Sequence, residues 1–350
     1  MEQPNGMSRR NFLKSTGVVF GASALSGIGP LAGMTQASEQ AKVPVGIARG
    51  ETVGMAVRKA VELAGGMDFI RKGQTVLIKP NVNTGDAYPG STNPEVLYEI
   101  IKLVWERDPK RVIVGDRSMF RRSTMDEMNR AKIDRAILDA KAELMTFDYM
   151  RWVLMNPAHS ANWPKGYHVA EIIPQVDHMI NVPVIKTHFL AWFTMSIKNY
   201  VGIIHGNDRV RFHSKLGGFG RRGRPGQQSQ ERKADYPAFA KMIAEFGLAI
   251  KPALNIMDGT KAFVSGGPSK GDLVEPKLIV ASRDRIATDV TGLGVLKHYG
   301  TEERIQNRSV WQQPMIARGI EIGLGIPDLS RMTLKGENVP ELEQIRKQMV

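Results

Sequence analysis

Four runs of apolar residues are followed directly by polar side chains that could bind or transform an anion. These motifs are Lys79-Pro80-Asn81, Asp116-Arg117-Ser118, Lys186-Thr187-His188 and Asp258-Gly259-Thr260. In a sheet of parallel strands, ligands bind outside the carboxyl ends of the strands. A single lysine or aspartate after a strand is commonly a solvated turn residue. Four such ends together predict one shared site, provided that the strands are parallel and neighbouring.

A further polar pair, Lys198 and Asn199, follows the third motif, where a helix is expected to begin near Thr194. Amide groups at the start of a helix, with lysines nearby, suit a phosphate or a carboxylate. Alternatively, Thr194 and Asn199 only satisfy backbone groups. The pattern leaves an anion site and a structural role open for this segment.

The residue types suggest a division of roles at such a site. His188 is the candidate acid or base, and the lysines would stabilise negative charge that develops on a substrate. The candidate catalytic residues are His188, Lys186 and Asp116. The candidate ligand-binding residues are Lys79, Asn81, Thr187, Lys198, Asn199, Asp258 and Asp289. A histidine near two lysines also suits a hydrogen-bond donor, and that alternative stays open.

A divalent metal is a further possibility. His188, His205 and His213 could ligate one with help from Asp116, Asp258 or Asp289, which could instead orient the cations. No short spacing such as His-x-x-x-His occurs, so the sequence leaves the cofactor unknown. Because the chain has no cysteine, cysteine-ligated iron–sulfur clusters and zinc–thiolate sites are excluded.

Two glycine-rich or basic segments could also contact an anion. The glycine-rich stretch at 265–271 could bring backbone amides close to an anion, but it lacks the spacing of a Walker loop and is otherwise a mobile turn. Residues 204–234 lose apolar periodicity and are predicted to be a long loop. Its basic residues are Arg209, Arg211, Lys215, Arg221, Arg222 and Arg224. The loop is either a lid over an acidic ligand or a solvated run.

The elements that position these residues alternate between short β-rich runs and stretches of helical period. This pattern predicts an α/β fold with a mainly parallel sheet flanked by helices, Rossmann-like in kind. The predicted strands are 43–48, 75–79, 111–115, 143–147, 178–185, 253–257 and 277–281. The predicted helices are 52–65, 94–107, 126–141, 236–250, 285–299, 311–322 and 340–349. Asn93 before Pro94 is typical of a helix start, and Thr124 with Glu127 predicts a capping box.

The amino-terminal residues resemble a twin-arginine signal peptide. Ser8-Arg9-Arg10-Asn11-Phe12-Leu13-Lys14 precedes an uncharged stretch at 17–33, and cleavage is expected after Ala37. A membrane-spanning helix is disfavoured because this stretch is short, rich in Gly and Ser, and interrupted by Pro30. We therefore expect export of the folded protein to the periplasm and one α/β domain at 38–350. The sequence leaves open whether that domain divides into two lobes.

Charge is consistent with an anionic partner. The chain of 350 residues has 48 basic and 35 acidic residues, and removal of the leader with Arg9, Arg10, Lys14 and Glu2 leaves a net charge of +11. A charge this positive attracts anions. Nucleic acid is not expected, because no aromatic-and-basic binding motif occurs. The expected partners are a small anionic ligand and the twin-arginine export machinery, with no stable membrane span.

Successive motifs also resemble a known family. The blocks are Ile78-Lys79-Pro80-Asn81, Val114-Gly115-Asp116, Ile180-Asn181-Val182-Pro183 with Lys186-Thr187-His188, Lys198-Asn199-Tyr200-Val201-Gly202, Asp258-Gly259, Gly266-Gly267-Pro268, and Ala281-Ser282-Arg283-Asp284 with Ala287-Thr288-Asp289. In this order, over about residues 43–300, they resemble the domain of unknown function 362 family. The resemblance implies an α/β fold and a bacterial or archaeal origin, but no agreed activity.

This chain differs from many members of the family that it resembles. Many members of the family append a ferredoxin-like cluster domain, and this chain has neither that domain nor its cysteines. Electron transfer is therefore not implied. Met195-Ser196 and Arg285-Ile286 depart from the family pattern at positions that concern packing more than the polar set.

Three functions remain at the level of the sequence. We expect an exported enzyme or ligand-binding protein that takes a phosphorylated or carboxylated molecule at the strand ends. The alternatives are a non-catalytic accessory protein for an exported redox system and a metal-dependent hydrolase.

Overall fold

One large sheet and one small sheet organise the described part of the chain. The computed structural model describes residues 41–119, 121–213 and 235–350, so the predicted signal peptide at 1–37 lies outside the described residues. The strands are β1 (Val43–Ala48), β2 (Thr75–Lys79), β3 (Arg111–Asp116), β4 (Glu143–Thr146), β5 (Trp152–Met155), β6 (Tyr167–Ala170), β7 (His178–Asn181), β8 (Val184–His188), β9 (Trp192–Thr194), β10 (Leu254–Ser265), β11 (Asp272–Val274), β12 (Leu278–Ser282) and β13 (Met332–Glu337). The helices are α1 (Val53–Leu63), α2 (Pro94–Trp105), α3 (Thr124–Arg130), α4 (Ile133–Asp139), α5 (Ser196–Asn199), α6 (Gly206–His213), α7 (Tyr236–Phe246), α8 (Arg285–His298), α9 (Glu303–Gln306), α10 (Pro314–Glu321) and α11 (Leu342–Lys347).

The order of the strands explains where a site can form. The main path of the large sheet runs β13-β1-β12-β10-β7-β2-β3-β4. From β10 through β7, β2 and β3 to β4, each strand is parallel to the next. Strand β12 is antiparallel to both β1 and β10. The predicted α/β fold with a mainly parallel sheet is therefore confirmed. Strand β8 continues the chain after β7 and pairs with β10 and β9.

Helices cover both faces of this sheet, because alternate residues of its strands are apolar on opposite sides. Val76 and Ile78 of β2 belong to a hydrophobic cluster with α1, α2 and α4. Leu77, between them, belongs to a second cluster with α7, α8 and α10. Strands that are buried on both faces read as continuous apolar runs, and this is why the sequence located them. Residues 41–350 form one compact unit.

Local backbone features correct three predictions about the elements. The run at 178–185 is two strands, because Pro183 has no N–H group to donate and the chain changes partner there. The helix predicted at 126–141 is divided into α3 and α4 at Lys132, which has a left-handed φ of 59°. The capping residue of α3 is Ser123, whose hydroxyl accepts the Asp126 amide, and not Thr124.

The segment at 204–234 is only partly a loop. Its first residues include α6, so the predicted loop is wrong for Gly206–His213. Residues 214–234 lie outside the described residues, and with them Lys215, Arg221, Arg222 and Arg224. In the described part of the chain no helix has the length and apolar character needed to cross a membrane.

Candidate functional site

The strands that carry the predicted motifs are adjacent or close in the sheet. β10, β7, β2 and β3 are neighbours in the sheet and parallel, which satisfies the condition on which the predicted site depended. Lys79 and Asp116 are the last residues of β2 and β3, and Lys186 and His188 lie near the end of β8. Asp258 lies inside β10, which extends beyond the predicted end to Ser265.

Lys79 and Asp116 form a buried ion pair at the base of the site. The Lys79 Nζ and Asp116 Oδ1 atoms are 2.8 Å apart, and both side chains are nearly fully buried. Asp116 also accepts the backbone amides of Val82 at 2.8 Å and Arg117 at 2.7 Å. Burial lowers the pKa of Lys79 and raises the pKa of Asp116, while the ion pair opposes both shifts. Gly202 lies against the pair, where any side chain would overlap both groups.

A cavity of about 420 Å³ adjoins the small pocket that this pair lines. Its wall combines apolar and basic side chains with the glycine-rich turn, and it includes Asn83, Thr84, Met119, His188, Phe189, Leu190, Lys198, Val201, Arg209, Phe212, His213, Phe239 and residues 266–270. A smaller polar pocket of about 30 Å³ shares Asn83, Lys198, Val201 and Arg209 with it. The two spaces are therefore neighbours, and Lys198 belongs to the walls of both.

Lys198 is a cation without a counter-ion in the described structure. Its Nζ makes no hydrogen bond or ion pair with any residue in the described ranges. Burial, followed by repulsion from Arg209 and Lys79, lowers the pKa of Lys198 to about 7. Lys198 is partly buried, and an ammonium group that is partly removed from water without a counter-ion is costly. An anion in the cavity would reduce that cost.

Arg209 is a fixed part of the wall and not a mobile lid residue. It is buried, and its guanidinium donates to the carbonyl oxygens of Ile204 at 3.0 Å, Ser118 at 2.7 Å and Arg117 at 2.9 Å. Burial lowers the pKa of Arg209 to about 9. Because its donors bind carbonyl groups, Arg209 keeps a positive charge that Asp116 only partly offsets.

His188 has the geometry of a neutral hydrogen-bond donor. Its Nδ1 accepts the backbone amides of Leu190 and Ala191, each at 3.1 Å, so the proton of a neutral ring resides on Nε2. Burial, with repulsion from Lys198 and Lys186, holds the pKa of His188 well below its usual range. The geometry therefore suits the donor alternative better than a general base.

Lys186 and Thr187 contact backbone groups near the cavity but do not line it. Lys186 donates from Nζ to the Gly90 carbonyl at 2.5 Å and lines neither pocket. Burial and the nearby Lys198 lower its pKa to about 7. Thr187 accepts the Gly267 amide at 3.1 Å through its Oγ1 and so holds the glycine-rich turn beside the cavity. Neither residue is placed to touch a ligand directly.

Asp258 and Asp289 also serve the framework. Asp258 accepts the Tyr88 hydroxyl at 2.9 Å and the Thr260 amide at 3.0 Å, and burial raises its pKa to about 6. Asp289 accepts the amides of Ser196 at 2.6 Å and Ile197 at 3.0 Å, and burial raises its pKa to about 7. Both lie outside the walls of the two pockets. Asp289 fixes the start of α5, which carries Lys198 and Asn199.

The three histidines suggested as metal ligands do not meet. His188 and His213 line the large cavity, but His205 packs against Trp152, with ring centroids 4.9 Å apart. Within residues 41–119, 121–213 and 235–350, no three histidine, aspartate or glutamate side chains are grouped so that they could hold a metal ion.

Several contributors to the site were missed in the sequence. Phe212 and Phe239 supply apolar wall, but their segments show no motif. Asn181 and Asn255 connect to Asn199 and Asn81 through side-chain hydrogen bonds. Both residues are polar amides inside otherwise apolar strands. This pattern could have identified them, because a buried amide requires hydrogen-bond partners.

Comparison with known proteins gives one family match and distant structural similarity. A family model described as Domain of unknown function (DUF362) matches residues 76–294. Thylakoid-associated protein sll1697 of Synechocystis sp. is 28% identical over 246 residues, 69% of this chain and 69% of the relative.

Two solved structures are similar at lower identity. The lactate racemase apoprotein from Thermoanaerobacterium thermosaccharolyticum is 16% identical with a TM-score of 0.41, over 70% of this chain and 55% of that one. A crystal structure of a Thermotoga maritima protein is 16% identical with a TM-score of 0.37, over 60% and 51%. The chain thus spans about half the length of the two solved structures.

Proposed function

The chain belongs to the family described as Domain of unknown function (DUF362), and we propose that it binds a small phosphorylated or carboxylated ligand in the cavity around Lys198. The observation that carries this proposal is Lys198, which lines two adjoining pockets and whose Nζ has no partner among the described residues. A ligand anion would supply the missing counter-charge.

The charge around the cavity supports an anion and not a cation. Lys198 and Arg209 line both pockets, whereas Lys79 and the carboxylate of Asp116 line only the smaller one. Asp116 is already paired with Lys79, so a net positive charge remains on Lys198 and Arg209. An anionic ligand would place a negative charge within a few ångströms of Lys198. Such an opposite charge favours the ionised form of a group that is removed from water.

Chemistry at this site would use the same donors. The Nε2–H of His188 and the Lys198 ammonium could stabilise negative charge that develops on a bound substrate, as donors in an oxyanion site do. The apolar residues Phe212 and Phe239 would exclude water around that charge. Ligand binding is the function that the geometry supports best, and turnover would build on it.

Removal of the Lys198 charge will abolish anion binding. A thermal-shift screen of phosphorylated and carboxylated metabolites on the wild-type protein should find a ligand that stabilises it by roughly 2.7 kcal/mol at ~100 times its dissociation constant. We expect Lys198→Met to lose this shift. Lys110→Met is the matched control, because Lys110 is exposed and precedes β3 at the opposite end of the sheet. A ligand shift that Lys198→Met retains would contradict the proposal.

We also propose that the leader with Arg9 and Arg10 exports this protein through the twin-arginine pathway to the periplasm. The support is the motif at 8–14 followed by an uncharged stretch. The double variant Arg9→Lys, Arg10→Lys will remain in the cytoplasm of a Gram-negative host, and Lys14→Arg will be exported as the wild type is. Fractionation followed by immunoblotting measures this, and a periplasmic double variant would refute the proposal.

A further inference from the structure

Four buried asparagines form a chain of side-chain hydrogen bonds that ends at the site. Asn255 donates from Nδ2 to the Ser282 carbonyl at 3.1 Å, and its Oδ1 accepts from Asn181 at 3.1 Å. Asn181 Oδ1 in turn accepts from Asn199 at 2.8 Å, and Asn199 Oδ1 accepts from Asn81 at 2.9 Å. Donation thus runs from Asn81, beyond the end of β2, through Asn199, Asn181 and Asn255 to the Ser282 carbonyl of β12.

Backbone carbonyl groups fix the direction of this chain. A carbonyl oxygen only accepts, so Asn255 must direct its NH2 group towards Ser282. Asn199 is fixed independently, because its Nδ2 donates to the carbonyl oxygens of Lys79 and Pro80, each at 3.2 Å. Its Oδ1 also faces the Lys79 ammonium at 3.5 Å. A reversed Asn199 would therefore place its oxygen against two carbonyl oxygens.

The last member of the chain, Asn81, is left with an unused acceptor. Its Nδ2 is engaged by Asn199, and its buried Oδ1 has no hydrogen-bond partner within the described residues. Asn81 is only 7% exposed, so bulk water does not solvate this oxygen freely. A buried acceptor without a partner costs free energy. The hydrogen bonds among the other three asparagines prevent the Asn81 amide from turning to remove this cost.

The position of this acceptor restricts what can reach it. Asn81 and Lys198 both line the small pocket, whose volume of about 30 Å³ has room for a group the size of a water molecule. A carboxylate or phosphate is larger and fits the neighbouring cavity of about 420 Å³. Lys198 lies where the two spaces adjoin, so it can contact an anion whose neighbouring small substituent enters the pocket.

We propose that Asn81 is a specificity-determining residue that selects anions with an adjacent hydrogen-bond donor. The ligand class is a carboxylate or phosphate compound with a hydroxyl or amine group next to the anionic group. The donor binds Asn81 Oδ1 in the small pocket, while the anion binds the Lys198 ammonium. This inference rests on the proposed anion site and adds the chemistry of the ligand to it.

Pairs of probes that differ only in the donor test this inference by titration calorimetry. Glycolate is compared with acetate, and glycerol 3-phosphate with propyl phosphate, on the wild-type protein. We expect the donor-bearing member of the better-bound pair to bind roughly ten- to hundredfold more tightly. In Asn81→Leu, which is similar in volume but has no acceptor, we expect the two members to bind equally, with thermal unfolding confirming that the variant is folded.

The outcomes separate the two claims. Equal binding of donor-bearing and donor-free probes to the wild type, at affinities that Lys198→Met abolishes, overturns the role of Asn81 and leaves the anion site standing. Binding of none of the four probes overturns both. If Asn81→Leu retains the preference of the wild type for donor-bearing probes, the role of Asn81 in specificity is also overturned.

Discussion

Replacement of Asp116 with asparagine will lower the free energy of unfolding by about 3–5 kcal/mol, because it leaves the Lys79 ammonium buried without its carboxylate. Asparagine keeps the shape of the side chain but not its charge. Asp116 also accepts the amides of Val82 and Arg117, so an NH2 group in place of one oxygen would face a donor. The charge is thus lost together with the hydrogen bonds that the replaced oxygen accepted.

Equilibrium denaturation in urea, followed by circular dichroism, measures this effect. The double variant Lys79→Met, Asp116→Asn should lose less than Asp116→Asn alone, because it removes the uncompensated cation. Glu143→Gln is the matched control on the same sheet, since its ion pair with Arg111 is 2.8 Å long and nearly half exposed. We expect the control to change stability by less than about 1 kcal/mol. An equally small change for Asp116→Asn would contradict the account.

Anion affinity will fall about tenfold per pH unit above the pKa of Lys198, which is about 7 in the free protein. Below that pH the side chain is an ammonium group that binds the anion directly. Above it the side chain is a neutral amine, and binding must take up a proton from solution. Because the bound anion raises the pKa of Lys198, the loss continues until the pKa of the complex is reached, so about a hundredfold is lost between pH 7 and 9.

Calorimetry with a carboxylate ligand measures this dependence, since such a ligand does not itself titrate between pH 6 and 9. The neighbouring groups contribute differently: Lys186 has a pKa of about 7, Arg209 one of about 9, and His188 is already neutral. Lys198→Arg keeps its charge throughout the range, so its affinity should depend on pH more weakly than that of the wild type. Equal slopes for the two proteins would refute the role of Lys198.

The sequence predicted the large parallel sheet and the convergence of its strand ends. Strands such as β2 are apolar throughout because both faces are covered, so their bounds and the polar residues after them were visible. Short strands such as β5 and β13 were missed, since half-exposed residues give no continuous apolar run. Convergence then followed from parallel order, which the structure confirms for β10, β7, β2 and β3.

The roles within the site were less visible, because they depend on which atoms meet. Lys186 and Lys198 both stand in motifs that the sequence predicted to contact an anion. In the structure, however, the Lys186 Nζ donates to the Gly90 carbonyl, whereas the Lys198 Nζ binds no described residue. Arg209 was expected in a loop, but its guanidinium donates to three backbone carbonyl groups. Such long-range hydrogen bonds leave no periodic pattern in the chain.

The predicted aspartates show the same limit. Asp258 was expected near the ligand because it directly follows a predicted strand, and Asp289 because it could orient the cations or hold a divalent ion. Both instead accept hydrogen bonds from the framework, and Asp289 positions the helix that carries Lys198. Their contribution to binding is therefore indirect.

A crystal structure of the protein with the tightest-binding anion of the screen tests the central claim most directly. We expect density for the anionic group within about 3 Å of the Lys198 Nζ, in the cavity whose wall includes His188. An anion bound elsewhere on the molecule, with no density at Lys198, would contradict it.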